Sequence, residues 1–336
     1  MYNGGTVKIA DRLRQFDIFE HFSDEQIEQL SRCTSQVRYP EGALVLQEGD
    51  HTSDAYMVDE GTVRIQRNSP YGMYVLADLG RGEMFGETSF IDESARSTDV
   101  VVLEPTALLP FNAVALSTVT ERDSRFTLAL YWTFWKSLSR KLRLTNERLA
   151  NFFSEGGAPP PQREAEKAKA EDFRVGIKTK RDLFREQKLS PLEINFLASL
   201  SKEQRLEPGE TLFRDGDPGD KLYVVLEGQV MISKEITGAG EEALAFIERG
   251  DYFGEMALID NKPRSADAKA HEDGAVVLAI PRQVLEGILD IHKVSSVRLL
   301  KLLCGLIAKR LREIDDKLVG WYIFSGGSGQ SLEVPP

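Results

Sequence analysis

The chain is expected to be an α+β protein with two jelly-roll-like antiparallel β-barrel domains, each flanked by an N-terminal helix and by C-terminal helices. Three observations carry that expectation. The text repeats: Gly42, Gly49 and Gly61 correspond to Gly209, Gly216 and Gly228 at a constant offset of 167, and the run from Asp54 to Ile65 matches that from Lys221 to Ile232. A period this long, present twice, marks duplicated domains and not a solenoid. In each copy, short apolar runs alternate with Gly, Asp and Pro turns, the pattern of a small antiparallel barrel or sandwich. Each copy then closes with a long segment whose apolar residues step by three and four, the spacing of a helix.

Taken in order, the elements have local reasons. Ser23 with Gln26 forms a capping-box pattern that opens a helix running to about Cys33. Strands follow from Val37 to Leu109, then a helix from Asn112 and a longer one from about Arg122 to Phe152. The long helix carries a heptad-like stripe of Leu128, Tyr131, Trp135, Leu138, Leu142, Thr145 and Leu149. Trp132, Phe134 and Trp135 add more large apolar surface than one face needs, so burial against a second chain or the other domain, and with it a homodimer, is expected. Ser154 to Pro161 reads as a Gly/Pro linker, and an Ala/Glu/Lys helix is expected from Arg163 to Glu171. Ser190-Pro191-Leu192-Glu193 combines a cap, a proline at the first helical position and a glutamate at the third. Strands from about Arg205 to Ala279, a helix from Pro281 and a last helix from Lys293 to Leu318 complete the second copy. The last helix repeats the stripe with Leu300, Cys304, Ile307, Leu311, Ile314 and Leu318. The expected limits are 11–153 for the first domain, 154–170 for the linker, 171–320 for the second domain and 321–336 for a disordered tail.

At 336 residues there is room for two full cores, and 41% hydrophobic with 28% charged residues is ordinary for a globular protein. The net charge of −11 argues against a DNA partner, since such affinity rests on Lys and Arg neutralising phosphates. Cys33 and Cys304 read as small buried apolar residues. The four histidines have no metal-ligand spacing, and no metal or other cofactor is expected. There is neither a bilayer-length apolar run nor a signal-peptide pattern, so a cytoplasmic location is expected.

The chemistry lies in a shorter repeat. Phe85-Gly86-Glu87-Thr88-Ser89-Phe90 leads to Arg96-Ser97, and Phe253-Gly254-Glu255-Met256-Ala257-Leu258 leads to Arg264-Ser265. In both copies Arg-Ser begins nine positions after the glutamate. The combination suits a cyclic phosphodiester attached to a ribose. Glycine lets backbone approach closely, the residues after it can open a short helix, and arginine offers a planar fork to phosphate oxygens. A carboxylate repels phosphate, so each glutamate is assigned to a neutral donor, the ribose 2′-OH. No Walker loop, kinase signature or metal cluster accompanies the motif, so no catalytic residue is assigned.

These cassettes resemble the phosphate-binding cassette of cyclic nucleotide-binding domains, the family of the bacterial catabolite activator, the protein kinase A regulatory subunits and the cyclic nucleotide-gated channels. The second cassette is very close to the family pattern. The first departs from it at Thr88-Ser89-Phe90, Ala95 and Thr98 but keeps Gly86, Glu87 and Arg96. The resemblance implies that the base packs on Leu76 and Ala77 at the first site and on Leu244 and Ala245 at the second. The implied lid residues are Thr145 and Asn146 for the first site, and Ile314 and Asp315 for the second. It further implies a receptor with two sites; Ser97, Ser265 and Asp315 suit either base, and cAMP is expected in preference to cGMP. Ligand occupancy would reach a protein partner through movement of the C-terminal helices. The alternatives are a regulatory subunit of a protein kinase and a scaffold protein with a degenerate first site.

Overall fold

A computed structural model describes residues 8–152, 174–236, 240–289 and 297–327. It divides into two compact units, Met1–Ser137 with Val319–Pro336 and Leu138–Leu318. The expected linker and the Ala/Glu/Lys helix lie outside the described residues.

The first unit opens with α1 (Ile9–Leu13), a 3-10 turn (Asp17–Phe19) and α2 (Asp24–Ser31). The capping box of α2 is formed in both directions: the Gln26 backbone N–H donates to Ser23 Oγ at 3.3 Å, and the Ser23 backbone N–H donates to Gln26 Oε1 at 2.9 Å. The strands are β1 (Val37–Tyr39), β2 (Leu44–Leu46), β3 (Ala55–Glu60), β4 (Val63–Ser69), β5 (Gly72–Leu79) and β6 (Met84–Phe85). After α3 (Glu87–Asp92) come β7 (Asp99–Val102) and β8 (Thr106–Phe111). They form two antiparallel sheets, ordered β1-β8-β3-β6 and β2-β7-β4-β5. Val58 and Leu108 of one sheet join Val63, Val100 and Val102 of the other in one buried cluster, the two-sheet packing expected of a jelly roll. Asn112 caps α4 (Ala113–Arg122) by accepting from the Ala115 N–H at 2.9 Å. Asp123 then accepts from the Phe126 N–H at 3.0 Å at the head of α5 (Ser124–Asn151).

The second unit contains α6 (Ile177–Glu186), α7 (Pro191–Leu200), β9 (Lys202–Leu206), β10 (Thr211–Phe213), β11 (Lys221–Ile236), β12 (Gly240–Ile247) and β13 (Tyr252–Phe253). Then come α8 (Met256–Asp260), β14 (Asp267–Pro281), α9 (Arg282–Ile288) and α10 (Val297–Phe324). The box at Ser190 and Glu193 forms as expected. Here β11 runs unbroken where the first copy has β3 and β4, and β14 where it has β7 and β8, so the strands join in one six-stranded sheet. The long pair bends at bulges between Val225 and Glu227 and between Gly228 and Val230. Gly228 sits there at φ 73°, as its counterpart Gly61 does at φ 88°, a region that a side chain makes costly.

The two stripes are buried along their whole length: Leu128, Leu138 and Leu149 of α5 and Leu300, Cys304 and Ile307 of α10 are all 0% exposed. Phe134 and Trp135 are equally covered within the single chain, at 0% and 1%, so their size alone requires no second copy. Two limits differ from the sequence reading. The boundary between units falls inside α5, after Ser137, and inside α10, after Leu318. The tail expected from residue 321 begins instead as helix. Tyr322 is buried, its ring 5.0 Å from that of Tyr74, and this aromatic contact offsets the entropy of ordering the last turn.

Candidate functional site

Each cassette begins at the end of a two-residue strand. The ring of Phe85 stacks on Tyr56 with centroids 5.0 Å apart, and that of Phe253 on Tyr223 at 5.3 Å. The next residues, Gly86 and Gly254, take φ 77° and 79°. Their lack of a side chain makes room for the arginine. A Cβ would lie 2.8 Å from Arg96 Nη1 at Gly86 and 2.6 Å from Arg264 Nη1 at Gly254. The arginines fill that space in matching ways. Arg96 donates from Nη1 to Gly86 O at 2.8 Å and from Nη2 to Asp54 O at 2.7 Å. Arg264 donates from Nη1 to Gly254 O at 2.6 Å and from Nη2 to Lys221 O at 2.9 Å. Their backbones are pinned alike, with N–H groups donating to Asp50 O at 2.9 Å and Asp217 O at 2.8 Å.

The two copies part at the third donor. Arg96 Nε donates to Thr52 Oγ1 at 2.9 Å. The position matching Thr52 is Gly219, and Arg264 Nε is buried with no hydrogen-bond partner. Arg264 lies instead over the ring of Phe213, 4.3 Å from its centroid, a cation–π contact. Burial pushes the Arg264 guanidinium below its ordinary value, while Tyr223 and then Glu255 pull it back up. A buried cation with an unused N–H donor is a ready partner for an anion.

Both cassette glutamates are buried, Glu87 at 0% and Glu255 at 3% exposure. Each is engaged by a long helix. Ser137 Oγ of α5 donates to Glu87 Oε1 at 2.8 Å. Arg310 Nη1 of α10 donates to Glu255 Oε1 at 3.0 Å, and its Nη2 reaches Tyr252 O. Neither helix partner was expected. Ser137 and Arg310 do not correspond in the two copies, so the repeat carried no signal for them.

A cleft opens beside Arg264 in the second unit. Leu244, Ala245, Gly254, Glu255, Met256, Arg264, Ser265 and Ile314, all expected at the second site, line it. Asp315 does not line it and is buried at 9% exposure. Ser265 Oγ donates to Met256 Sδ at 3.6 Å. Phe213, Ile232, Phe253 and Arg310 also line the cleft; they lie in apolar or charged runs that sequence alone does not set apart from core or surface. Around the first cassette Gly86, Glu87 and Arg96 come together, with Leu76 buried and Ala77, Thr88 and Ser97 half-buried. Thr145 and Asn146, expected over that cassette, belong to the second unit, where Asn146 and Leu142 line the cleft. Among the described residues no group of three or more His, Cys, Asp or Glu could hold a metal ion, and no helix is long and apolar enough to cross a membrane.

Comparison with known proteins agrees with this geometry. The chain is 24% identical over 281 residues to the cGMP-dependent protein kinase egl-4 of Caenorhabditis elegans, covering 83% of this chain and 30% of that protein. It is 23% identical over 270 residues to the cAMP-dependent protein kinase regulatory subunit of Dictyostelium discoideum, covering 78% and 68%. It is 34% identical over 130 residues to the Cyclic AMP receptor protein of Thermus thermophilus, covering 39% and 58%. The chain thus spans less than a third of the length of the kinase. The cyclic nucleotide-binding domain profile matches residues 36–123 and 203–292, together more than half of the chain. On that match and on the paired cassettes, the chain belongs to the cyclic nucleotide-binding domain family, which it carries in two copies.

Proposed function

We propose that this chain is a cyclic nucleotide receptor with two sites, cAMP favoured over cGMP, that passes ligand occupancy to a protein partner. The observation that carries the reading is the unpartnered Nε–H of buried Arg264, beside a cleft walled by apolar side chains and Glu255. A cyclic phosphate supplies the missing acceptor. The ribose 2′-OH competes with Arg310 for Glu255, and the base fills the space between Leu244, Ala245 and Ile314. Nothing in this scheme breaks a bond, so the protein is read as a receptor and not an enzyme.

Transmission follows from the partners of the glutamates. Because Arg310 of α10 is tied to Glu255, a ligand that takes over the carboxylate changes what holds the helix. The helix shift can be no larger in free energy than the ligand's differential affinity for its two positions. A protein kinase catalytic chain is the favoured class of partner, because relatives matched over most of this chain include a regulatory subunit of such a kinase. Calorimetric titration with cAMP, cGMP and 5′-AMP tests the ligand assignment. Two sites for a cyclic nucleotide and none for 5′-AMP are expected; no heat from either cyclic nucleotide would sink it. A kinase assay with and without cAMP tests the partner class.

A further inference from the structure

The cleft contains one polar side chain that the phosphate and ribose do not use. Asn146 of α5 is 4% exposed, and its Oδ1 is buried without a hydrogen-bond partner. Leu142, one turn earlier and on the same helix face, lines the cleft beside it. The segment is fixed in place by Arg143, which donates to both carboxylate oxygens of Asp260 at 2.8 and 3.1 Å and to Pro263 O at 3.0 Å. An amide held this firmly, with an orphaned acceptor at an apolar slot, is incomplete without a ligand that donates to it.

Resting on the reading of the cleft as a cyclic nucleotide site, we propose that Asn146 is the base-reading residue of the second site and selects adenine. The other polar side chains lining the cleft are otherwise committed. With ligand bound, Glu255 takes the ribose, Arg310 keeps its bond to Tyr252 O, Arg264 faces the phosphate position, and Ser265 donates to Met256 Sδ. The base edge therefore meets a single amide. Adenine presents two neighbouring groups, the 6-amino donor and a ring-nitrogen acceptor, and one amide satisfies both. Guanine presents three in a row, O6, N1–H and the 2-amino group. An amide can pair with two of them and leaves the third buried without a partner. The carboxylate that would suit N1–H and the 2-amino group together, Asp315, does not line the cleft.

The test is a two-site calorimetric titration of the full chain with cAMP, with cGMP, and with purine riboside 3′,5′-cyclic monophosphate, which lacks the 6-amino group. The site abolished by Arg264→Ala is the second. There the native chain is expected to bind cAMP about tenfold or more tighter than the 6-unsubstituted ligand. Asn146→Leu should bind the two alike, with the first site unchanged. Asn146→Asp, close in shape, should move the preference toward cGMP, and it provides the reading if the leucine variant does not fold. Retention of the preference for the 6-amino group in Asn146→Leu, or an unchanged cAMP-to-cGMP ratio in Asn146→Asp, would overturn the assignment. Failure of the native chain to bind any of the three ligands would instead remove the cleft reading on which it rests.

Discussion

Arg264→Ala separates a phosphate site from a merely structural arginine. In the absence of ligand the guanidinium does two jobs, donating to Gly254 O and Lys221 O, and carries one cost, a buried Nε–H without an acceptor. Its removal leaves two carbonyls to be satisfied by water. It also relieves a desolvated cation, so the change in stability is the difference of two opposed effects of about 1–3 kcal/mol each. Affinity has no such cancellation. Truncating one partner of a buried charge pair costs about 2–5 kcal/mol, which is roughly 30-fold to several-thousandfold in Kd. The assay is calorimetry with cAMP at the second site, with the ligand-free unfolding midpoint as control. Arg264→Lys keeps the charge but not the planar fork, and it should recover only part of the loss. Second-site affinity within a few-fold of the native value in Arg264→Ala would refute the reasoning, because the phosphate would then not be held by Arg264.

Three further outcomes follow from particular contacts. Thr52→Ala removes an acceptor of Arg96 Nε and should tighten the first site a few-fold; an unchanged or weaker first site in titration would contradict this. Gly254→Ala should lower the unfolding free energy by about 2 kcal/mol or more, since it forces a side chain to positive φ and places Cβ 2.6 Å from Arg264 Nη1; denaturant unfolding checks it. Burial pushes His21 below its ordinary value, against the ring of Trp132 at 5.0 Å, so the fold favours the neutral imidazole. Its contribution is therefore complete above about pH 6.5 and lost as pH falls below that. Thermal melts of the native chain should fall more steeply from pH 7 to pH 5 than those of His21→Phe.

What was legible in the sequence was whatever is encoded locally or stated twice. The capping boxes at Ser23 and Ser190 are four-residue signals with their own hydrogen bonds, and both form. The cassettes were readable because Gly, Glu and Arg keep their spacing in both copies. The role of the glycine was less legible. It makes room for the arginine of its own cassette, a contact across ten residues that spacing implies but does not show. Least legible were residues brought in by the helices. Asn146 follows the first cassette in the chain, and the resemblance places it over that cassette, yet it lines the second cleft. Helical periodicity says that a face is buried but not against what. The end of α10 is hidden for a related reason: the glycines and serines after Phe324 give no sign of the packing of Tyr322 on Tyr74.

The two copies ask different things of a ligand although their motifs agree. In the first, the arginine's Nε has Thr52 as acceptor and the glutamate takes a neutral hydroxyl from Ser137. In the second, the arginine's Nε has none and the glutamate is held by a cation from α10. A ligand arriving at the first cassette would displace the neutral contacts from Ser137 and Thr52, which are worth about 0.5–1.5 kcal/mol each. At the second it fills an empty donor but must compete with a charge-assisted bond about twice as strong. In the proposed scheme, binding there and release of Arg310 from Glu255 are one event. The cassette residues repeat in the two copies, and the helix residues that engage their glutamates, Ser137 and Arg310, do not.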